Sequence, residues 1–262
     1  MRTYALTIAY DGRDYAGWQC QKNGLAVQQV LEECLGRMFG EKITLHGSGR
    51  TDSGVHALGQ IASFQQQNQK PDIEVRRMRL ALNAILPPAI RILRVRRVKD
   101  QFHARFQARG KEYHYYIFNG EVLPPHLAGR VWFVHDPLDL RNMRQAARHL
   151  EGKHDFTSFV VNPGYEVGSK VRTITKVQVG VVKTPSGPGW VPGYGTLLAV
   201  RVAGSGFMYK MVRSIAGTLV AVGRGKMTPA EVARVLKARD RRLAHMTAPA
   251  GGLYLMRVKY GK

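Results

Sequence analysis

Residues 2–10 read "RTYALTIAY" and residues 27–38 read "VQQVLEECLGRM", and the change of period between them decides the fold. In the first stretch Tyr4, Leu6, Ile8 and Tyr10 fall on one face, which is strand periodicity. In the second, Val27, Val30, Leu31, Cys34, Leu35 and Met38 follow i, i+3, i+4 spacing, a helix stopped near Gly40. The same alternation of periods runs outward along the chain. Ile43–Leu45 and Gln60–Phe64 read as strands, "EVRRMRLALNAILPP" as a helix ending at Pro87, and "IRILRVRRV" as a strand. A second half follows. "EYHYYIFN" is a strand, and "DLRNMRQAARHLEG" a helix with Asp139 as N-cap and Gly152 as stop. "ITKVQVGVV" and "TLLAVRVAG" form a hairpin around the Gly- and Pro-rich "KTPSGPGWVPGYG". "FMYKMVRSIAGTLVAVG" is an apolar helix, "TPAE" a capping box that opens another, and "GGLYLMRVKY" a final strand. Each half therefore reads strand-helix-strand-strand-helix-strand, the ferredoxin-like order, with one extra helix in the second. The expected fold is α+β. Two such βαββαβ halves, residues 1–105 and 106–262, form one extended, mostly antiparallel sheet with helices on one face and the other face open to a ligand.

The charge narrows the function. Forty Lys and Arg stand against 18 Asp and Glu, a formal charge of +22. Such a surface attracts polyanions. No apolar run approaches the roughly 20 residues of a membrane span, and "MRTYALTIAYDG" is no signal peptide. Cys20 and Cys34 are too few for a disulfide framework. A cytoplasmic protein that binds nucleic acid is expected, with no membrane role.

Against this background "GSGRTDSGVH", Gly47–His56, places a lone carboxylate, Asp52, in a glycine-rich loop two residues after Arg50. An Asp in such a turn ordinarily hydrogen-bonds its own backbone. No Lys follows the second glycine, so the loop is not a phosphate-binding P-loop. Aspartic proteases pair two carboxylates, and no second "DSG" or "DTG" occurs. The histidines are scattered without metal-ligand spacing. A single carboxylate can still act as nucleophile or base when its charge is balanced and its position fixed. Arg213 is a candidate for the balance, since it interrupts the apolar "FMYKMVRSIAG". In "FHARFQARGKEYHYYIF" aromatics alternate with basic residues, an interleaving that suits stacking on unpaired bases and contact with phosphate.

These residues resemble a known family. "YDGRDYAGWQCQ", "GRTDSGVHA", "LNAILPP", "FHARF", "EYHYYI", "HDFTSF", "VRTI", "MVRSIAG" and "APAGGLYL" stand in the order found in the tRNA pseudouridine synthases of the TruA type. The resemblance covers almost the whole chain. It implies the pseudouridine synthase fold and isomerisation of uridine to pseudouridine on the 3′ side of the tRNA anticodon stem-loop. It also implies no cofactor, no metal, and a homodimer that grips one tRNA. On the matching positions it makes Asp52 the catalytic nucleophile and Arg50 a tRNA contact. Tyr113 becomes the ring stacked on the target base, and Arg213 the ion-pair partner of Asp52. Phe102, His103, Ala104, Arg105 and Phe106 become part of the RNA-binding surface. The chain departs from the family at Ala89 and in "VVNPGYEVGSKVRTI". A non-catalytic RNA-binding protein on the same scaffold would keep the basic aromatic segment without needing Asp52. An RNA hydrolase would want a second acid, a positioned histidine or a metal.

Overall fold

The computed structural model describes residues 1–22, 24–68, 71–162, 164, 168–182 and 194–261. The chain is α+β, and it divides into two compact units, Met1–Arg109 with Tyr254–Lys262, and Gly110–Leu253.

The first unit runs β1 (Arg2–Tyr10), α1 (Val27–Phe39), β2 (His46–Gly47), β3 (His56–Gln66), α2 (Val75–Ile85) and β4 (Ile90–Val98). This is the expected order, with β4 and β3 antiparallel to either side of β1 and β2 antiparallel to β3. Tyr4, Leu6, Ile8 and Tyr10 are all buried, as their alternation requires. Tyr4 stacks on Phe64 of β3 at 5.3 Å and on Phe39 of α1 at 6.4 Å, which marks that face as the helix-covered one. The opposite face is partly closed near Thr3, whose hydroxyl bonds Asp100, and near Ser63, whose Oγ accepts the Ala104 amide at 3.0 Å.

The strand expected at Ile43–Leu45 does not form. Glu32 of α1 accepts the Leu45 amide at 2.8 Å and Gln28 donates to the Leu45 carbonyl at 3.2 Å. Helix side chains thus take the backbone groups a ladder would need, and pairing starts one residue later at His46. The final strand, which sequence order places with the second half, is counted with the first unit. This strand, Leu253–Tyr260, runs parallel to β3, with Tyr254 opposite His56 and Leu255 opposite Ala57.

The second unit contains β5 (Ala108–Gly120), β6 (Trp132–Val134), α3 (Leu140–Arg148), β7 (Gly152–Asp155), β8 (Val171–Val181), β9 (Gly195–Gly204), α4 (Met211–Gly223) and α5 (Pro229–Ala238). The strand Leu253–Tyr260 is accordingly β10. Within the unit the order is β6-β5-β9-β8-β7. The caps follow the sequence in part. Asp139 accepts the Asn142 amide at 3.0 Å, and Thr228 and Glu231 form the full capping box. Gly152 does not end α3. The helix closes at His149, and Gly152 opens β7 with φ 108°. The apolar helix expected from Phe207 starts only at Met211, because Lys210 sits in the left-handed region at φ 55°. The hairpin loop of residues 183–193 and part of "VVNPGYEVGSKVRTI" lie outside the described residues.

Candidate active site

Asp52 is half-buried between exposed Arg50 and exposed Ser53, in a loop that carries no regular structure. The loop is held by residues of the opening "YDGRDYAGW". Thr51, beside Asp52, shares a 2.7 Å hydrogen bond with the buried Tyr10 hydroxyl, and its carbonyl accepts the Trp18 amide at 3.1 Å. On the other side Ser53 donates to the Tyr15 carbonyl at 3.2 Å, as does the Gly54 amide at 3.4 Å. The Val55 amide returns to the Asp52 carbonyl at 3.1 Å, closing a turn around the acid. Upstream, Gln60 accepts from Ser48 at 2.6 Å and donates to the Gly49 carbonyl at 2.7 Å. Gly17 has φ +100°, and a Cβ there would stand 2.6 Å from the Thr51 carbonyl oxygen. Only glycine meets both demands at little cost. Burial pushes the Tyr10 hydroxyl far above its ordinary pKa, against the hydrogen bonds of Thr51 and Gln60, so it stays protonated.

Where the loop becomes β3, His56 is 2% exposed and lies parallel to the Tyr254 ring at 4.4 Å. Its Nδ1 is 3.2 Å from both the Gly12 amide and an Asp11 oxygen. A neutral ring with Nδ1 unprotonated accepts from Gly12, and a ring with a proton on Nδ1 donates to Asp11. Burial draws the Asp11 carboxyl upward. Its hydrogen bonds from Arg13 and the charge of His56 outweigh that and leave it below the ordinary carboxylate value.

The "FHARF" residues form a turn before β5. Ala104 is 0% exposed, with its amide on Ser63 and its carbonyl accepting the Tyr260 hydroxyl at 2.7 Å. It anchors the turn, and its methyl group faces no solvent. Phe102 packs on Tyr260 at 5.2 Å. His103, exposed Arg105 and exposed Phe106 carry the surface of the turn.

Tyr113 and Arg213 belong to the second unit. Tyr113 on β5 is 6% exposed and meets Phe207 edge-on at 5.1 Å. Arg213, in the first turn of α4, donates Nε–H to the Ala248 carbonyl at 2.8 Å, and its own carbonyl accepts the Ala248 amide at 3.1 Å. Buried Tyr115 donates to the Pro249 carbonyl at 2.7 Å. Its hydroxyl is raised by burial, against the nearby Arg213 charge. A Cβ on Gly252 would lie 2.6 Å from the Tyr115 ring. The helix segment "MVRSIAG" and the start of "APAGGLYL" are therefore joined through Arg213 and Ala248. Sequence reasoning missed Tyr10, Asp11, His56 and Tyr115. "YDG" and "GVH" were visible as strings, but periodicity carries no sign that residues 44 apart would meet at Gly12 and His56.

Among the described residues no three His, Cys, Asp or Glu gather as metal ligands, and no helix is long and apolar enough to cross a membrane.

A family profile described as tRNA pseudouridine synthase matches residues 6–107 and 146–261. The chain is 43% identical over 260 residues to the tRNA pseudouridine synthase A of Pelobacter propionicus, covering 99% of this chain and 100% of that one. It is 42% identical over 263 residues to the protein of the same name from Exiguobacterium sp., covering 100% and 99%. To that of Geobacter sulfurreducens it is 41% identical over 260 residues, covering 99% and 100%.

Proposed function

The chain belongs to the tRNA pseudouridine synthase family, isomerases that convert uridine to pseudouridine in tRNA, and we propose that Asp52 carries the chemistry. The observation behind this is the loop itself. One carboxylate is held half-exposed while both of its neighbours are tied to another motif. Such positioning is what a nucleophile or base needs in order to act without a partner acid.

The reaction breaks the bond between the sugar C1′ and N1 of uracil, turns the base, and joins C1′ to C5. The C5 proton leaves and N1 ends protonated, so no atom or electron is exchanged overall. One carboxylate suffices for this balance, as attacking group or as proton acceptor.

Substrate contact falls to Arg50, Tyr113 and Arg213. Arg50 is an exposed cation beside the acid, suited to a phosphate. Tyr113 offers an aromatic ring, and Arg213 a guanidinium anchored through Nε. Phe102, His103, Arg105 and Phe106 add RNA contacts, with Ala104 as their buried anchor. The anticodon stem-loop of tRNA is the proposed target, a homodimer the proposed assembly, and the cytoplasm the proposed compartment. Support for these three is the full-length resemblance to tRNA pseudouridine synthase A.

The test is a carbodiimide-based pseudouridine map of tRNA incubated with the purified chain. New marks on the 3′ side of the anticodon stem-loop are expected, and their absence from all tRNA positions would overturn the reading. The +22 charge adds a second measurement. Log affinity for tRNA should fall linearly and steeply with log salt as counterions are released. A flat line would assign the charge to something other than tRNA.

A further inference from the structure

The second unit carries a pocket that the candidate site does not use. It lies between β7 and the end of α5, holds about 650 Å³, and is walled by Lys153, His154 and Asp155 of β7 and by Leu236, Lys237 and Arg239. Three cations stand there against one carboxylate, and that carboxylate is already engaged. Asp155 accepts the Thr157 amide at 2.9 Å and the Thr157 hydroxyl at 2.6 Å, and Arg239 Nε lies 3.3 Å from its other oxygen. Lys153 and Lys237 have no hydrogen-bond or ion-pair partner among the described residues. His154 is held in the wall, with Nε2 2.7 Å from the Glu151 carbonyl oxygen and its ring edge-on to Phe156 at 6.0 Å. Arg239 adds an independent sign. It is the C-cap of α5 and sits in the left-handed region at φ 53°, where among the described non-glycine residues only Lys210 joins it. A helix end of this kind ordinarily selects glycine, and an arginine there carries backbone strain that glycine avoids. The ion pair with Asp155 does not account for the choice, since the Arg239 side chain is 67% exposed and solvated pairs contribute little. Strain kept at the rim of a pocket points to a need for that side chain.

We infer that this pocket binds a phosphate-bearing small molecule of about mononucleotide size, with Lys153, Lys237 and Arg239 on the phosphate and Leu236 and the His154 ring against its less polar part. A dianion supplies the partner that the two ammonium groups lack, and the guanidinium offers a phosphate paired, coplanar donors. The volume is that of an ordinary small-ligand site, and buried Leu236 gives it an apolar floor. A concave pocket with such a floor suits a compact ligand better than the extended backbone of an RNA helix, which presents phosphates on a convex surface. The pocket lies wholly within the second unit and contains none of the candidate site residues, so the inference does not rest on the proposed action of Asp52.

The experiment is isothermal titration of the full chain with AMP, adenosine and inorganic phosphate at one fixed ionic strength. AMP should bind once per chain, phosphate more weakly, and adenosine not measurably. Lys153→Ala and Lys237→Ala should each lower AMP affinity about tenfold or more, the loss expected for one charged hydrogen bond. Arg77→Ala removes the same charge from an exposed position on α2 in the first unit and should leave the affinity unchanged. Arg239→Gly should lose affinity by a similar factor while its urea midpoint holds or rises, because glycine relieves the left-handed position. An arginine kept only for structure would show the reverse, a lower midpoint with normal AMP binding. That result overturns the inference, as does an equal loss in Arg77→Ala, several AMP sites of one affinity per chain, or no measurable binding of AMP and phosphate. Displacement of AMP by tRNA, with Lys237→Ala weakening tRNA to the same degree, assigns the pocket to RNA backbone and overturns the small-molecule reading.

Discussion

Two irregular segments lie at candidate site residues, the loop that carries Arg50 and Asp52 and the segment that Arg213 grips, and they are held by opposite means. The loop Gly49–His56 of the first unit is fixed by the segment Tyr10–Trp18, through backbone groups, hydroxyls and one buried histidine. The segment Ala244–Gly252 of the second unit is fixed largely by guanidinium groups. Arg213 bonds the Ala248 carbonyl, and Arg241 bonds the carbonyls of Ala244 and His245 and the Thr247 hydroxyl. Both arginines are half-buried, and burial lowers the Arg241 pKa. A frame of many small neutral bonds loses little when one is cut. A frame of two planar cations depends on the shape of each, which an ammonium cannot copy. The two regions should therefore fail differently under substitution.

The largest effect lies at the centre of the first region. Asp52→Asn keeps the loop's backbone bonds and removes the charge, so turnover should fall below detection. Affinity for tRNA should stay within about tenfold, roughly 1.4 kcal/mol. Single-turnover conversion of labelled tRNA together with filter binding checks both. Near-normal turnover would remove Asp52 from the chemistry and leave its loop as mere architecture.

The next effect tests the second region. Arg213→Lys keeps the charge and loses the directed Nε–H bond to Ala248. A hydrogen bond to a charged group is worth about 1.5–3 kcal/mol, so turnover should drop by at least tenfold. Lys activity close to wild type would mean that charge alone holds this segment, and the contrast with the loop would vanish.

Tyr10→Phe probes redundancy in the first region. The lost bond to Thr51 costs about 1 kcal/mol of stability, seen as a lower urea midpoint. Turnover should change only a few-fold, because Trp18, Tyr15 and Val55 still hold the loop's backbone. A loss as large as that of Arg213→Lys would show that the loop has a single critical tie.

The smallest effect is one of pH. The folded-state pKa of Asp11 is depressed, so its ion pair contributes stability above the ordinary carboxylate value near 3.9. That contribution fades as pH falls through the lowered value. Asp11→Asn should be slightly less stable at neutral pH and show a shallower acid-side loss below about pH 4. Urea midpoints across that range measure it. Parallel curves for variant and wild type would mean that neither Arg13 nor His56 stabilises the Asp11 carboxylate.

Element type was legible wherever a residue's own neighbours decide its conformation. The alternation of β1, the apolar spacing of α1 and the capping box of α5 are local facts, and each appears as read. Misreadings fall where a distant group wins. Leu45 loses its strand to side chains of α1, which take its amide and carbonyl. Asp52 stood out as a lone acid in a glycine-rich loop, and the strings around it sufficed to indicate the family. The frame that holds it did not stand out.

By itself the sequence determined the five helices and the long strands, the polyanion-seeking charge and the position of the one acid in the loop. These follow from composition and from periods of two and 3.6 residues, which every short window contains. Only the tertiary structure decided that Tyr10 meets Thr51, that Gly12 meets His56, that Arg213 grips Ala248, and that His46, His103 and Phe106 line up as one stack. Those pairs span from a few residues to 57 along the chain, the widest being His46 with His103. Their partners are chosen by strand register and by the space left between packed elements, and neither quantity exists until the sheet has formed.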